Sequence, residues 1–476
     1  MNKKNKIIVL IFVFALLLRI LFIFSMPIKL WDETVYINLG YDLSKNPLEY
    51  SFKSDWCDYI PDNSYPKAGF RPPLLPYFIS LLYTLKIDIL IDFLIPFFGA
   101  LTTTIVFFIG SEMFNEKAGI LSSLFLAVYP LHVLFSSRVM TDVFSTFFIM
   151  LAFLFFIKGF EKNNKKYKIL FGVVLGLGIL SRYTIIWFLP AFGLYFLLKY
   201  SSLSFLKDKY FWYSVVSFLL VLTPWFIYGI SVYDNPLGAF IHGSKAAYYW
   251  GGIQPWYFYL KNWLSIFSFL GIVLVFGIIY LIYKRKIKNK KIIVLLLFVF
   301  IYLIFASIAP HKEYRYVIQT VPFVCILSAI FIEHLKKYKK YIIVFSLMFL
   351  LIQTAITFYI TAKTYYTTNT YCFNQVVKYL KNVNGDFIIV SESSPLFRYY
   401  VKKKSFYYPQ INLRDFKILE NSTNKPIYFV FTRFNSGLKT EEWKKLKKIM
   451  ENNYNLEFTC DKDPEVNFIY SNTKKL

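Results

Sequence analysis

The sequence predicts a mainly α protein: a polytopic transmembrane helical bundle of about eleven spans, with a small C-terminal α/β domain outside the membrane. Three observations predict it. Of 476 residues, 57% are hydrophobic and 21% aromatic, which a soluble chain of this size does not show. Apolar runs of roughly 18 to 23 residues recur along residues 1–361, each long enough to cross a bilayer. After 361 the hydropathy falls, and residues 362–476 carry shorter strand-like and helix-like runs.

The expected spans are about 7–26, 88–110, 118–135, 141–158, 169–183, 184–199, 210–230, 262–283, 292–308, 317–333 and 341–361. The fifth and sixth are short and abut, so they read either as two spans or as a broken helix plus a span. The first holds a single charge, Arg19. No A-x-A cleavage pattern follows it, so it reads as a retained helix.

Charge placement sets the orientation. The chain has 54 basic and 28 acidic residues, a net charge of +26. Basic clusters lie at Lys3-Lys4-Lys6, Lys162 to Lys168, Lys284 to Lys291 and Lys336 to Lys340. With the N-terminus in the cytoplasm, an eleven-span chain puts all four inside, as the positive-inside rule requires. The excess charge is therefore read as orientation and lipid contact, and nucleic acid is not an expected partner.

The same parity places the loops 27–87 and 231–261 and the tail outside. Arg71-Pro72-Pro73-Leu74 opens an apolar stretch to Leu85 that is too short to span and is expected to lie along the interface. Tyr248-Tyr249-Trp250-Gly251-Gly252 reads as an aromatic belt or the wall of a sugar or lipid groove. In the tail, 386–390 and 426–431 read as strands, and 439–452 as a helix presenting Trp443, Leu446 and Met450 on one face. No Gly-rich nucleotide motif occurs there, so catalysis is not expected in the tail. Asn421-Ser422-Thr423 fits a glycosylation acceptor. Cys57, Cys372 and Cys460 fall outside and Cys325 in a span. A Cys372–Cys460 bridge is conceivable, though spacing does not establish it. No CxxC or HxxxH spacing indicates structural zinc.

The chemistry-bearing residues gather at the outer ends of spans. Asp32-Glu33 follows the first span, where two adjacent carboxylates either begin a solvated loop or divide roles as base and partner. Arg138 and Asp142 stand four apart, a spacing that puts both on one helix face as a cap or as part of a site. Arg182 marks the junction of spans five and six, and Arg71 sits on a proline-stiffened backbone. His311-Lys312-Glu313-Tyr314-Arg315-Tyr316 retains cations on the outer side, against the general trend. Carboxylates with Arg and Lys at 71, 138, 182, 312 and 315 suit a group transfer with a phosphate leaving group. The carboxylate deprotonates the acceptor, and the cations hold the charge on the departing phosphate.

On these residues the chain resembles the GT-C superfamily of integral-membrane glycosyltransferases. It is nearest to the dolichyl-phosphate-mannose protein mannosyltransferase and lipid A aminoarabinose transferase type. The resemblance covers about residues 1–361. It rests on Asp32-Glu33, Arg71-Pro72-Pro73-Leu74, Arg138-x-x-x-Asp142, the hydropathy plan, and above all the 311–316 run, similar to the His-Lys-Glu-x-Arg-Phe/Tyr string of lipid-linked mannosyltransferases.

The resemblance implies a GT-C-like bundle and a polyprenyl-phosphate-linked sugar donor. It implies inverting transfer on the non-cytoplasmic side to a lipid, glycan or protein acceptor. Asp32 would be the base, Glu33 its acidic neighbour and Asp142 the second acidic position. Arg71 would contact phosphate, with Arg138, Arg182, His311, Lys312, Glu313 and Arg315 completing the anion-binding set. Some relatives hold a divalent metal at the acidic residues and others do not, so a metal at Asp32 and Glu33 stays an open expectation.

A secondary transporter or flippase for a lipid-linked or anionic substrate is the alternative reading. Such proteins place charges near the midplane and often repeat internally, whereas here the charges sit at helix ends and the halves show no repeat. A protein that only displays its tail would need a single anchor.

Overall fold

The computed structural model describes residues 3–52, 68–200, 203–249, 253–283, 289–335, 337–367, 371–407, 417, 419–432, 440–462 and 465–472. Cys57, Trp250 to Gly252, Lys284 to Lys288, Lys336 and Lys439 lie outside them, as do the side chains of Tyr248, Tyr249, Trp443 and Leu446.

The helices run, in order, α1 (Lys3–Ile23), α2 (Trp31–Lys45), α3 (Leu74–Thr84), α4 (Ile91–Met113), α5 (Glu116–Ala127), α6 (Pro130–Ser136), α7 (Thr141–Phe156), α8 (Lys165–Ser181), α9 (Leu189–Tyr200), α10 (Lys209–Tyr233), α11 (Gly238–Tyr249), α12 (Phe258–Lys261), α13 (Trp263–Tyr283), α14 (Lys290–Ile308), α15 (Val321–His334), α16 (Lys339–Thr367), α17 (Tyr371–Asn382) and α18 (Ser394–Val401). The strands are β1 (Ile388–Ser391), β2 (Lys404–Tyr407), β3 (Ile427–Thr432), β4 (Asn455–Lys462) and β5 (Glu465–Ser471), with a further helix at Thr440–Asn453.

All eleven expected spans are helical. Among the described residues, nine helices are long and apolar enough to cross a membrane, and the chain is a multi-pass membrane protein. Two segments correct the count. The expected span 118–135 is a pair of helices, α5 and α6, bent by 61° at their junction, and counted as one broken span it makes ten among the described residues. The expected span 169–183 is α8, 17 residues long and opened by lysines. The 231–261 loop is largely helical, through α11 and α12. The short apolar helix expected after Arg71 is α3.

The chain divides into two compact units. The first comprises 1–23, 69–75 and 89–358, and the second 24–68, 76–88 and 359–476. Asp32 and Glu33 therefore group with the C-terminal segment.

In the first unit the helices pack closely where side chains are smallest. A Cβ on Gly172 of α8 would come within 2.0 Å of the Ser214 carbonyl of α10, so only glycine permits that approach. Small residues at such crossings let helix backbones meet where no hydrophobic force drives them together.

The second unit is built on a five-stranded sheet of order β2-β1-β3-β5-β4, parallel among β2, β1 and β3 and antiparallel at β5 and β4. Period-two alternation gives it two apolar faces. Ile389, Tyr428, Val430 and Ile469 pack with Val376 and Leu380 of α17, Phe397 of α18, Ile28 and Trp31. Ile388, Val390, Phe429, Phe431, Phe468 and Tyr470 pack with Met450 of the helix Thr440–Asn453. Burial on both faces makes each strand a continuous apolar run, which is why β1 and β3 are legible in the sequence. β2, β4 and β5, with α17 and α18, were not anticipated. Cys372 of α17 is bonded to Cys460 of β4, closing an 88-residue separation.

Glu392 follows β1, and burial pushes its carboxyl up to about 7. A folded-state value above the unfolded one, about 4.3, means that stability is full below the unfolded value and lost as pH rises through 7. Glu392→Gln is expected to raise the melting temperature of this unit at pH 8 and leave it nearly unchanged at pH 4, measured by thermal unfolding of the purified protein. Equal shifts at both pH values would show that ionisation of Glu392 is not the cause.

Candidate functional site

Four stretches of the first unit come together: 69–71, 138–142, 182–184 and 311–319. α6 ends at Ser136 and α7 starts at Thr141, so Arg138 lies in the connecting turn and not on the helix of Asp142. The expected helix-face relation of Arg138 and Asp142 is thus corrected. Asp142 pairs with Arg182, Nη1 to Oδ1 2.8 Å, with the carboxylate 1% exposed. Arg182 also donates to Thr141 Oγ1 at 3.2 Å. This corner exists because α8 stops at Arg182, which takes extended backbone (φ −162°) before a short 3-10 turn resumes the helix.

The run after α14 folds on its own carboxylate. Arg315 grips Glu313 in bidentate fashion, Nε to Oε2 at 2.7 Å and Nη2 to Oε1 at 2.9 Å. His311 Nε2 lies 3.1 Å from Oε1, and the Tyr316 hydroxyl donates to it at 3.0 Å. Burial alone would push the Glu313 carboxyl up. The Arg315 charge and the hydrogen bonds from Arg315, His311 and Tyr316 outweigh it and hold the carboxyl below its ordinary value. Lys312 turns the other way, with its ammonium on the carbonyls of Gln254 (3.0 Å) and Ala309 (2.5 Å). It ties the loop before α12 to the end of α14.

Tyr316 joins the two corners. Its ring lies 5.1 Å from the Arg182 guanidinium and 5.5 Å from that of Arg315, within cation–π range of both. Arg315 Nη1 reaches Met140 Sδ at 3.6 Å. Below them, the Tyr302 hydroxyl of α14 lies 3.1 Å from Thr184 Oγ1, the Tyr316 carbonyl and Gln319 Oε1. Gln319 Nε2 donates to Ser145 Oγ at 3.1 Å. Neither Tyr302 nor Gln319 was singled out from sequence, because a lone tyrosine or glutamine in an apolar run carries no spacing signal.

Tyr183 brings in the last stretch. Its hydroxyl donates to the Gly69 carbonyl at 2.7 Å, lies 3.4 Å from that of Arg71, and accepts from Trp225 Nε1 at 3.0 Å. The backbone before the prolines is thus tied to the residue after Arg182. The Arg71 guanidinium stacks 5.0 Å from the Phe70 ring.

Asp32 and Glu33 belong to the second unit, in the first turn of α2. Glu33 is buried, and its Oε2 accepts the Leu30 N–H at 2.8 Å, which satisfies one of the orphaned donors at this helix start. Asp32 is half-buried beside it. α2 is fastened to the sheet's helical layer: Asn38 donates to the Pro395 carbonyl at 2.9 Å, and Arg398 pairs with Asp42. Among the described residues, no three His, Cys, Asp or Glu side chains converge to hold a metal ion.

A family model for dolichyl-phosphate-mannose-protein mannosyltransferase matches residues 70–228. That stretch contains Arg71, Arg138, Asp142 and Arg182. Among curated proteins no sequence match is found. In structure, the chain is similar to ArnT from Cupriavidus metallidurans bound to undecaprenyl phosphate, with TM-score 0.74, 11% identity and 98% of each chain covered. It is also similar to the oligosaccharyltransferase AglB from Archaeoglobus fulgidus in complex with an inhibitory peptide and a dolichol-phosphate. There the TM-score is 0.61, identity is 13%, and the match covers 99% of this chain and 74% of that one. The chain has the GT-C-like fold that its motifs resemble, as a membrane bundle with a small C-terminal sheet domain.

Removing one member of a buried ion pair strands the other, at a cost of about 3–5 kcal/mol. Arg182→Met is therefore expected to lower stability by that order, and Asp142→Asn in the same chain to recover most of it, measured from denaturation midpoints. An unchanged midpoint in Arg182→Met would mean that the pair does not hold this corner. Because the Glu313 carboxyl is depressed, its stabilisation is present above the unfolded value and lost as pH falls through the folded one. Hydrogen exchange over 311–320 should rise below about pH 4 in the wild type and lose that dependence in Glu313→Gln.

Proposed function

We propose that the protein is an inverting glycosyltransferase that takes a sugar from a polyprenyl-phosphate donor and transfers it to a lipid, glycan or protein acceptor on the non-cytoplasmic face. The observation that carries this reading is the pair of guanidiniums, Arg182 and Arg315, each held by its own carboxylate and both within reach of one tyrosine ring. The fold supports it, since its relatives bind undecaprenyl phosphate or dolichol-phosphate. The arrangement of basic clusters and the disulfide of the C-terminal unit support the orientation.

In this reading an acceptor oxygen attacks the anomeric carbon while the bond from that carbon to the phosphate oxygen breaks. The electron pair leaves with the phosphate, and the acceptor proton passes to Asp32. The products are the glycosylated acceptor and the polyprenyl phosphate. Glu33 sets the α2 turn that presents Asp32. Arg71, Arg138, Arg182 and Arg315 stabilise the phosphate charge, for which the planar guanidinium fork is well suited. Asp142 acts by orienting Arg182, and Glu313 by orienting Arg315 and His311. Lys312 holds the loop.

The test is a transfer assay on protein in lipid bilayers, with labelled polyprenyl-phosphate sugars offered beside nucleotide sugars. Asp32→Asn is expected to abolish release of sugar from the lipid donor in a folded protein, a loss of at least about a hundredfold, the usual scale for removing a general base. Full turnover in that variant would remove Asp32 as the base. Arg71→Ala and Arg315→Ala should each weaken use of the lipid donor, and unchanged donor binding and turnover in both would dismiss the phosphate clamp. Flux of the lipid-linked substrate across the bilayer without transfer would establish the transporter reading instead.

A further inference from the structure

The one charge in the first span, Arg19, is fully buried and has no carboxylate partner among the described residues. It lies at the break between α5 and α6. Its Nη1 donates to the Ala15 carbonyl at 2.8 Å and the Ala127 carbonyl at 3.2 Å. Nη2 donates to the Leu126 carbonyl at 3.2 Å and to His132 Nδ1 at 2.9 Å. Nε donates to Ser136 Oγ at 3.2 Å. All five N–H groups of the guanidinium are thereby engaged. Leu126 and Ala127 are the last residues of α5; beyond them the Leu126 carbonyl keeps a tightened-turn bond from the Tyr129 N–H at 3.3 Å, and His132 and Ser136 belong to α6. The next carbonyl, Val128, accepts from Thr354 Oγ1 at 2.8 Å.

A helix broken at membrane depth stands only if its freed backbone groups are satisfied within the protein. A cation at a helix C-terminus also meets the negative end of the helix dipole. The surroundings are shaped for the guanidinium. A Cβ on Gly99 of α4 would lie 2.8 Å from Arg19 Nε and 2.6 Å from Ser136 Oγ. Ala15, Ala100 and Ala127 pack together where α1, α4 and α5 cross. A guanidinium donates into Nδ1, so the imidazole of His132 is neutral and carries its proton on Nε2.

α6 ends one residue before the turn Ser137–Met140, which delivers Arg138, Thr141 and Asp142 to the site. We propose that Arg19 is a positioning residue for that site: by bonding both sides of the α5–α6 break it fixes the direction of α6 and so the place of the turn 137–142. The inference rests on the reading of the site given above for its consequence in turnover, and on the packing alone for its structural part.

The experiment measures hydrogen exchange over 126–140 and sugar transfer per folded molecule, in bilayers, for the wild type, Arg19→Met, Arg19→Lys and Gly99→Ala. Arg19→Met is expected to raise exchange across 126–140 while the remaining spans stay protected. It should also lower kcat about tenfold or more, the scale of one buried carbonyl left unsatisfied. Arg19→Lys, with three donors on a point charge, should recover part of both, and Gly99→Ala should reproduce the local opening. Wild-type exchange over 126–140 in folded Arg19→Met overturns the proposal. So does a lowered yield with normal kcat per folded molecule, which would make Arg19 a stability residue alone. If Arg19→Met does not fold, wild-type exchange in both Arg19→Lys and Gly99→Ala overturns it as well. A wild type without turnover would count against the glycosyltransferase reading, and the exchange comparison would still decide the role of Arg19.

Discussion

A carbonyl inside a bilayer has no water to turn to, and this constraint governs the first unit of the structure. Most of its backbone meets the constraint by staying helical. Where the chain departs from a helix it must supply partners, and the break between α5 and α6 does so with Arg19 and Thr354. The α13 helix departs at Ser268, where φ is +55°, and there the Tyr129 hydroxyl donates to the Ile266 carbonyl at 2.7 Å and the Ser328 hydroxyl to the Leu270 carbonyl at 3.2 Å. The polar residues scattered through the apolar segments thus stand where the backbone needs them.

The corner around Asp142 and Glu313 follows a related logic with charges. Asp142 is almost fully buried, and a carboxylate in that position is tolerated because Arg182 meets it directly. Glu313 is less buried and collects three donors from its own run. Each carboxylate fixes one guanidinium, and Tyr316 lies between the two. A site assembled this way holds its cations at set positions before an anion arrives, which reduces the ordering cost of binding. The tyrosine and glutamine beneath, Tyr302 and Gln319, fasten the 3-10 turn after Glu313 to α7.

The second unit shows how a short acidic motif gains a rigid seat. α2 is only weakly amphipathic and would be marginal alone. Packing of Trp31 and Ile28 against the sheet layer, the Asn38 bond to Pro395 and the Asp42–Arg398 pair hold it. Glu33 closes the first turn from within. Asp32 is therefore presented by a helix start with both flanks fixed, which is a firmer support than a free loop offers.

The sequence by itself determined the membrane class, the helical character of all eleven apolar segments, the strands β1 and β3, and the stretches that hold the site. These are legible because hydrophobic periodicity and charge placement are local properties of the chain. It singled out Arg71, Arg138, Asp142, Arg182 and the 311–316 run, and the structure places these residues at or between helix ends. What only the tertiary structure decided is who pairs with whom. Spacing put Arg138 and Asp142 on one helix face, whereas the fold leaves Arg138 in the turn between α6 and α7 and brings Arg182 to Asp142, because α8 ends beside that turn. The same holds for the grouping of the 24–68 stretch with the C-terminal sheet, for the Cys372–Cys460 bond, and for Arg19, a lone arginine in sequence and a five-bond clasp in space. Pairing of groups more than a hundred residues apart depends on helix crossings, and no local pattern encodes those.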